Sequence, residues 1–204
     1  MPNKKKIRVK VKKRKLKIKN ILILLLLLIL LYFGINYILH IKIKNIYIIN
    51  NNIVPDKDII NSAKLEEYPS FLLTTSREIK NNILKNDYIK EVSVTKKIGS
   101  KVYIKIEEYK TLCLYNNEII LESGNKVENT YNLILPVLLN DVSSIYDDFI
   151  NYFSKVDYGI LSKISEIEYV PNEVDNQRFL LTMNDGNYVY ITLTKITKIN
   201  KYNS

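Results

Sequence analysis

From Ile21 to Leu31 the chain contains only leucine and isoleucine, and no charged residue follows until Lys42. A helix over Ile21–Ile41, rising about 1.5 Å per residue, is roughly 30 Å long and matches the hydrocarbon thickness of a bilayer. Core helices of soluble proteins are rarely apolar on every face over such a length. The run is therefore expected to be a membrane span, and it sorts all other residues into two compartments. Eleven lysines and arginines precede it, from Lys4 to Lys19, and the first forty residues contain no Asp or Glu. By the positive-inside rule residues 1–20 form a basic cytoplasmic tail, 21–41 a transmembrane helix, and the remainder lies on the far side. The only alanine is Ala63 and the only cysteine Cys113. A signal peptidase site needs small residues and a lipoprotein signal needs a cysteine just after the apolar run, so the anchor is expected to stay uncleaved.

Charge matters because of where it sits. The chain carries +10, but the eleven basic residues before Ile21 exceed that total, leaving the rest at −1. The basic run reads as a topogenic signal attracted to anionic headgroups, and no nucleic-acid partner is expected because no reading element accompanies it. A lone cysteine excludes an internal disulfide, and Cys113, between Leu112 and Leu114, reads as a small buried apolar residue.

Beyond the anchor, Ile41, Ile43, Ile46 and Ile48 sit among polar residues up to Asn50-Asn51-Asn52, predicting a strand and a turn. Pro55 with Asp56 and Asp58 marks a helix start, and Thr75 or Ser76 caps a second helix with Ile79, Ile83 and Leu84 at helical spacing. Val92 and Val94, then Val102, Ile104 and Ile106, alternate with polar residues on either side of Ile98-Gly99-Ser100, predicting a hairpin with one buried face. Residues 42–110 thus form a compact βααββ unit. From 111 to 204 the pattern predicts a second, strand-rich domain. Its strands are Leu112–Tyr115, Glu118–Leu121, Ser165–Val170, Phe179–Met183 and Tyr188–Leu193, with one helix over Ser144–Ile164 and a hairpin turn at Asn184-Asp185-Gly186-Asn187. The fold class is α+β.

Catalytic chemistry is short of parts. The single histidine, His40, lies at the membrane boundary, and the five glycines are scattered, so no triad, His–Cys metal cluster or Gly-rich phosphate loop can be assembled. No cofactor, metal or small-molecule substrate is expected. Paired carboxylates remain the one enzymatic option, as in sugar hydrolysis, but Glu107 and Glu108 point to opposite faces of a strand. Asp147-Asp148 and Asp56/Asp58 fall at helix starts, where solvated or capping charge is the simpler reading. Asn36, a polar amide within the span, is a candidate for contact with a partner helix or for reaching interfacial water.

In this order the segments resemble the FtsQ/DivIB family of bacterial cell-division proteins. The resemblance rests on Ile46-Tyr47-Ile48-Ile49-Asn50-Asn51, on Ile83-Leu84-Lys85-Asn86-Asp87-Tyr88-Ile89-Lys90-Glu91-Val92-Ser93-Val94, and on Val102-Tyr103-Ile104-Lys105-Ile106-Glu107-Glu108. Leu121-Glu122-Ser123-Gly124-Asn125-Lys126-Val127, Leu135-Pro136-Val137-Leu138, Ile164-Ser165-Glu166-Ile167 and Leu181-Thr182-Met183-Asn184-Asp185-Gly186 follow in the family's order. The chain departs from the family where Asn50-Asn51 stands for Gly-Asn, where Gly99 occupies a hairpin that usually holds proline, and where Glu108-Tyr109-Lys110 replaces Glu-Arg and a proline. The family commonly continues past the last hairpin with a helix and another strand carrying the partner-binding edge, whereas this sequence runs to Ser204.

The resemblance implies a POTRA domain over 42–110, an FtsQ/DivIB-type β domain over 111–204, and a non-catalytic protein of the cell membrane enriched at the division septum. It implies scaffolding of membrane partners resembling FtsL and FtsB/DivIC, with control of septal wall synthesis. Tyr188, Val189, Tyr190, Ile191, Thr192 and Leu193 are the expected partner-binding strand if they end the sheet, and Ile191→Pro is the substitution expected to remove a donor there. The alternatives are an anchored wall-modifying enzyme using carboxylates and a POTRA-assisted translocation factor. The latter would call for tandem POTRA units or a barrel.

Overall fold

The computed structural model describes residues 18–202, so the readings placed on the basic tail lie outside the described residues. The apolar run is one helix, α1 (Ile18–Leu39), with no buried residue along it. It is long and apolar enough to cross a membrane. It starts before the expected Ile21 and stops short of Ile41, whose carbonyl accepts the Phe71 N–H at 2.7 Å and so leaves the helical ladder.

The expected βααββ order follows: β1 (Asn45–Ile49), α2 (Asp56–Ser62), α3 (Ser76–Ile83), β2 (Ile89–Lys97) and β3 (Lys101–Glu108). The strand expected from Ile41 begins only at Asn45, because Ile43 N–H is drawn to the Pro69 carbonyl. Asn50 takes φ 69°, the left-handed turn that a glycine would otherwise supply. Thr75 caps α3, its side chain accepting from the Glu78 N–H at 3.1 Å. The sheet order is β1-β3-β2, β1 parallel and β2 antiparallel to the central β3. Val102, Ile104 and Ile106 turn one face of β3 inward against Ile59, Ile79 and Ile83, all at 1% exposure or less.

The second sheet has seven strands in the order β10-β9-β8-β7-β4-β5-β6. These are β4 (Thr111–Tyr115), β5 (Glu118–Leu121), β6 (Lys126–Glu128), β7 (Val137–Leu138), β8 (Ile164–Tyr169), β9 (Arg178–Met183) and β10 (Tyr188–Thr192). The α+β class expected from sequence holds. The single helix expected over Ser144–Ile164 does not. A 3₁₀ turn (Ser143–Ile145) leads into α4 (Tyr146–Phe153), the chain extends at Asp157, and a short α5 (Tyr158–Leu161) follows before Ile164 opens β8. Polar groups take the backbone at the break: Lys110 Nζ donates to the carbonyls of Ser154 and Val156, and Asp157 N–H donates to Asn200 Oδ1. After Thr192 the chain enters a 3₁₀ helix (Leu193–Lys201) that packs against α4.

One hydrophobic cluster joins Leu112, Cys113 and Ile120 to Phe149, Phe153 and Phe179. Another joins Ile119, Leu121 and Val127 to Ile79, Ile83 and Ile104. β5 therefore has apolar neighbours on both faces, which is why three consecutive apolar residues there are buried. Tyr88 OH donates to the Glu128 carbonyl at 2.6 Å, and Lys90 bridges Glu107 and Glu122 at 3.1 and 3.2 Å, tying the two sheets together. Cys113 is fully buried, and desolvation pushes its thiol pKa up to about 12, which removes thiolate reactivity at neutral pH.

Candidate partner-binding edge

β10 ends the seven-stranded sheet, and among the described residues no strand pairs with its outer side. The turn before it positions the strand. Gly186 takes φ 86°, and Met183 N–H donates to the Asn187 carbonyl at 2.9 Å. Asp185 Oδ1 accepts from the Asn187 N–H, while Asp185 Oδ2 accepts from the Tyr202 hydroxyl at 2.7 Å. The Tyr202 hydroxyl in turn accepts from Asn187 Nδ2. Tyr202 therefore returns from beyond the 3₁₀ helix to clamp the start of β10. These bonds, that of Tyr202 foremost, hold the Asp185 carboxyl below its ordinary range, and the same carboxylate raises the Tyr202 hydroxyl.

The far end of β10 is tied by Leu193 N–H donating to the Gln177 carbonyl, and by Thr192 Oγ1 donating to Asp175 Oδ2. The Thr192 bond is the leading reason the Asp175 carboxyl is also held low.

Bonds at both ends fix which backbone groups face outward. The pairs Asn187/Met183 and Leu193/Gln177 are hydrogen-bonded, and an antiparallel ladder alternates, so Val189/Leu181 and Ile191/Phe179 are hydrogen-bonded pairs as well. The N–H and C=O groups of Tyr188, Tyr190 and Thr192 then point away from β9 to the open side. This changes the sequence expectation in two ways. Ile191→Pro would cut a bond to β9, so Tyr190→Pro is the substitution that removes an outward donor. Leu193 does not belong to the strand: it opens the 3₁₀ helix and is wholly buried.

Side chains give the edge two distinct faces. Tyr188 and Tyr190 are 69% and 59% exposed, and the Arg178 guanidinium lies 4.2 Å from the Tyr190 ring centroid. On the other face Val189 and Ile191, with Lys198, Ile199 and Tyr202, line a groove of about 270 Å³. An added strand would place alternate side chains against the tyrosines and into this groove. Sequence reading missed the helix that forms the groove, although Leu193, Ile196, Ile199 and Tyr202 recur every third residue, the 3₁₀ repeat.

Asn36 is far from this edge in sequence and element. Its Nδ2 donates to the Tyr32 carbonyl at 3.0 Å, and its own carbonyl accepts from His40 Nδ1, so its donor is engaged within α1.

Four of the carboxylates weighed for catalysis have structural partners. Glu108 accepts from the backbone N–H groups of Asn52, Ile53 and Val54 at 2.8–3.1 Å, pinning the turn after β1. Glu107 pairs with Lys90, Asp56 accepts from Asn51 Nδ2, and Asp148 accepts from Gln177 Nε2.

A model of the POTRA domain, FtsQ-type, matches residues 41–109. The cell division protein DivIB of Bacillus cytotoxicus is 29% identical over 168 residues, covering 76% of this chain and 64% of its own. Residues 41–109 thus match the FtsQ-type POTRA domain, and the chain is similar to the DivIB cell division proteins. DivIB of Bacillus subtilis strain 168 is 26% identical over 153 residues, covering 71% of this chain and 58% of its own. The match thus spans less than two thirds of these relatives' length. The major extracytoplasmic domain of the trans isomer of DivIB from Geobacillus stearothermophilus aligns with a TM-score of 0.40 at 19% identity, over 48% of this chain and 89% of that one. The FtsQ-type domain is the unit built from β1, α2, α3, β2 and β3.

Proposed function

We propose that this chain is a non-catalytic, single-pass protein of the bacterial division machinery. α1 crosses the cell membrane, and the folded part is held outside the cytoplasm, where it assembles other membrane division proteins at the septum. Similarity to relatives named cell division proteins supports the division role, and α1 supports the single span. In this reading 42–110 and 111–204 act as an FtsQ-type POTRA domain and a partner-binding β domain. Partners resembling FtsL and FtsB/DivIC dock on the β domain, and the assembly governs septal peptidoglycan synthesis. Asn36 serves the same assembly within the bilayer through its unengaged side-chain oxygen.

One observation carries the docking site: β10 lies at an open sheet edge with the backbone groups of Tyr188, Tyr190 and Thr192 turned outward. Such an edge accepts a partner strand through main-chain bonds, with side-chain pockets setting the choice. Co-purification of the full chain with candidate partners from dividing cells tests this. Tyr190→Pro should abolish capture while the fold stays intact; undiminished capture would remove β10 as the docking site. A tagged chain should form a midcell band, and uniform membrane signal would argue against the division role. Peptidoglycan hydrolysis by the purified chain, abolished by a single Asp or Glu substitution, would favour the carboxylate enzyme instead.

A further inference from the structure

Several of the most exposed apolar side chains of the FtsQ-type domain lie where it is bonded to the end of α1. Ser70 Oγ donates to the Leu39 carbonyl, Phe71 N–H to the Ile41 carbonyl at 2.7 Å, and Ile43 N–H to the Pro69 carbonyl at 3.0 Å. Lys42 and Ser70 form an antiparallel bridge. The loop from Tyr68 to Thr74 is therefore held at the depth of the last residues of the helix. Its next side chains, Leu72 and Leu73, are 47% and 63% exposed, and Tyr68 is 47% exposed.

The β2–β3 hairpin tip lies at the same end, since Lys44 N–H donates to the Ser100 carbonyl at 2.8 Å and Asn45 pairs with Lys101. Ile98 at that tip is 99% exposed. Lys96 joins the two projections: its Nζ donates to the carbonyls of Phe71 and Thr74 and sits 4.4 Å from the Phe71 ring centroid. Lys42, Lys44, Lys97 and Lys101 flank these segments along the chain, with Glu66 and Glu67 on the approach to Tyr68. Exposed apolar tips with lysines close by in the chain, fixed beside a membrane helix, are suited to the interfacial layer, where apolar side chains sink below the headgroups and lysines meet lipid phosphate.

We propose that Leu72, Leu73 and Ile98 dip into the outer leaflet of the bilayer that α1 spans, giving the extracytoplasmic part a second, lipid-facing attachment. The occupant is lipid because the loop is bonded directly to the end of α1, so its depth is set by the bonds to Leu39 and Ile41. Two attachments, helix and loop tips, fix the tilt of the domain and so the direction in which the rest of the fold is presented. The inference rests on α1 spanning the bilayer, and the experiment separates the two.

The sequence contains no tryptophan, so single reporters can be placed in the full chain. The chain is reconstituted in vesicles of phosphatidylethanolamine and phosphatidylglycerol, some of the lipid carrying brominated acyl chains that quench tryptophan. Leu28→Trp, near the middle of α1, reports the span; Leu73→Trp and Ile98→Trp report the tips; Val174→Trp, 96% exposed in the β8–β9 loop, is the remote reference. Leu28→Trp, Leu73→Trp and Ile98→Trp should all lose emission to bromolipid, with the tips emitting at shorter wavelength than Val174→Trp, which should keep its intensity. Quenched Leu28→Trp with unquenched tips would overturn the second attachment and leave the span standing. Unquenched Leu28→Trp would overturn the span and the attachment with it. Equal quenching of Val174→Trp would also overturn the proposal, since the attachment would not be specific to these tips.

Discussion

The two outer strands of the seven-stranded sheet meet the same problem in opposite ways. An edge strand presents unpaired backbone groups that invite association, and proteins usually shorten, charge or cover it. β6 has all three protections. It is three residues long, it carries Lys126 and Glu128, and its Glu128 carbonyl accepts from Tyr88 OH, Thr130 N–H and Thr130 Oγ1. Val127 between them is buried in the cluster shared with α3 and β3. β10 is longer and exposes two tyrosines, and its side-chain ties, through Asp185, Tyr202 and Asp175, sit at its ends, away from the outward backbone groups of Tyr190. This contrast between a capped edge and an open one is what favours β10 in the docking proposed above.

The largest effect expected from this contrast is on stability. Leu121 is fully buried in the cluster that holds β5 and β6 against the FtsQ-type domain. Leu121→Ala should cost about 2–5 kcal/mol in a denaturant titration. A loss below about 1 kcal/mol would mean that the site collapses freely and that packing does not close this side. Next is the binding contrast itself. Tyr190→Pro should weaken partner capture at least about tenfold, equivalent to about 1.4 kcal/mol. Lys126→Pro, also at an outward-facing position but on β6, should leave capture unchanged. Equal loss from both would erase the distinction between the edges. Third, Tyr88→Phe removes only the hydroxyl that caps the Glu128 carbonyl, and should cost about 1 kcal/mol with capture retained. No measurable loss would show that the Thr130 donors suffice.

Much of this was legible in the sequence because it is periodic. Val102, Ile104 and Ile106 alternate, so the buried face of β3 could be read directly, and the unbroken apolar run of α1 admits few other readings. The break in the Ser144–Ile164 stripe was hidden, since it depends on Lys110 and Asn200 reaching the backbone from distant positions. The shared packing around β5 had a visible sign in Ile119-Ile120-Leu121, because consecutive buried apolar residues in a strand require cover on both faces. At the candidate site, alternation separated Tyr188 and Tyr190 from Val189 and Ile191. It could not tell which backbone groups face outward, because that parity is set by the Met183–Asn187 and Gln177–Leu193 bonds. The strand was therefore legible and the residue at which to break it was not.

The smallest expected effect is a pH dependence confined to the open edge. The Tyr202 hydroxyl and the Asn187 N–H lower the Asp185 pKa in the folded chain. A carboxyl depressed on folding contributes stability that is fully present above its unfolded pKa and is lost as pH falls through the folded value. The clamp on the 184–187 turn should thus hold at neutral pH and release in acid, below the ordinary carboxylate range. Hydrogen exchange at the amides of the β9–β10 hairpin reads this directly, with protection falling there on acidification more than in β2 and β3. Tyr202→Phe removes the donor chiefly responsible for the shift, so it should lower protection at neutral pH and flatten the acid dependence. If the hairpin in Tyr202→Phe kept both its protection and its acid response, the clamp would not be what holds the start of β10. The openness of that edge would then rest on the Asp175–Thr192 tie at its other end.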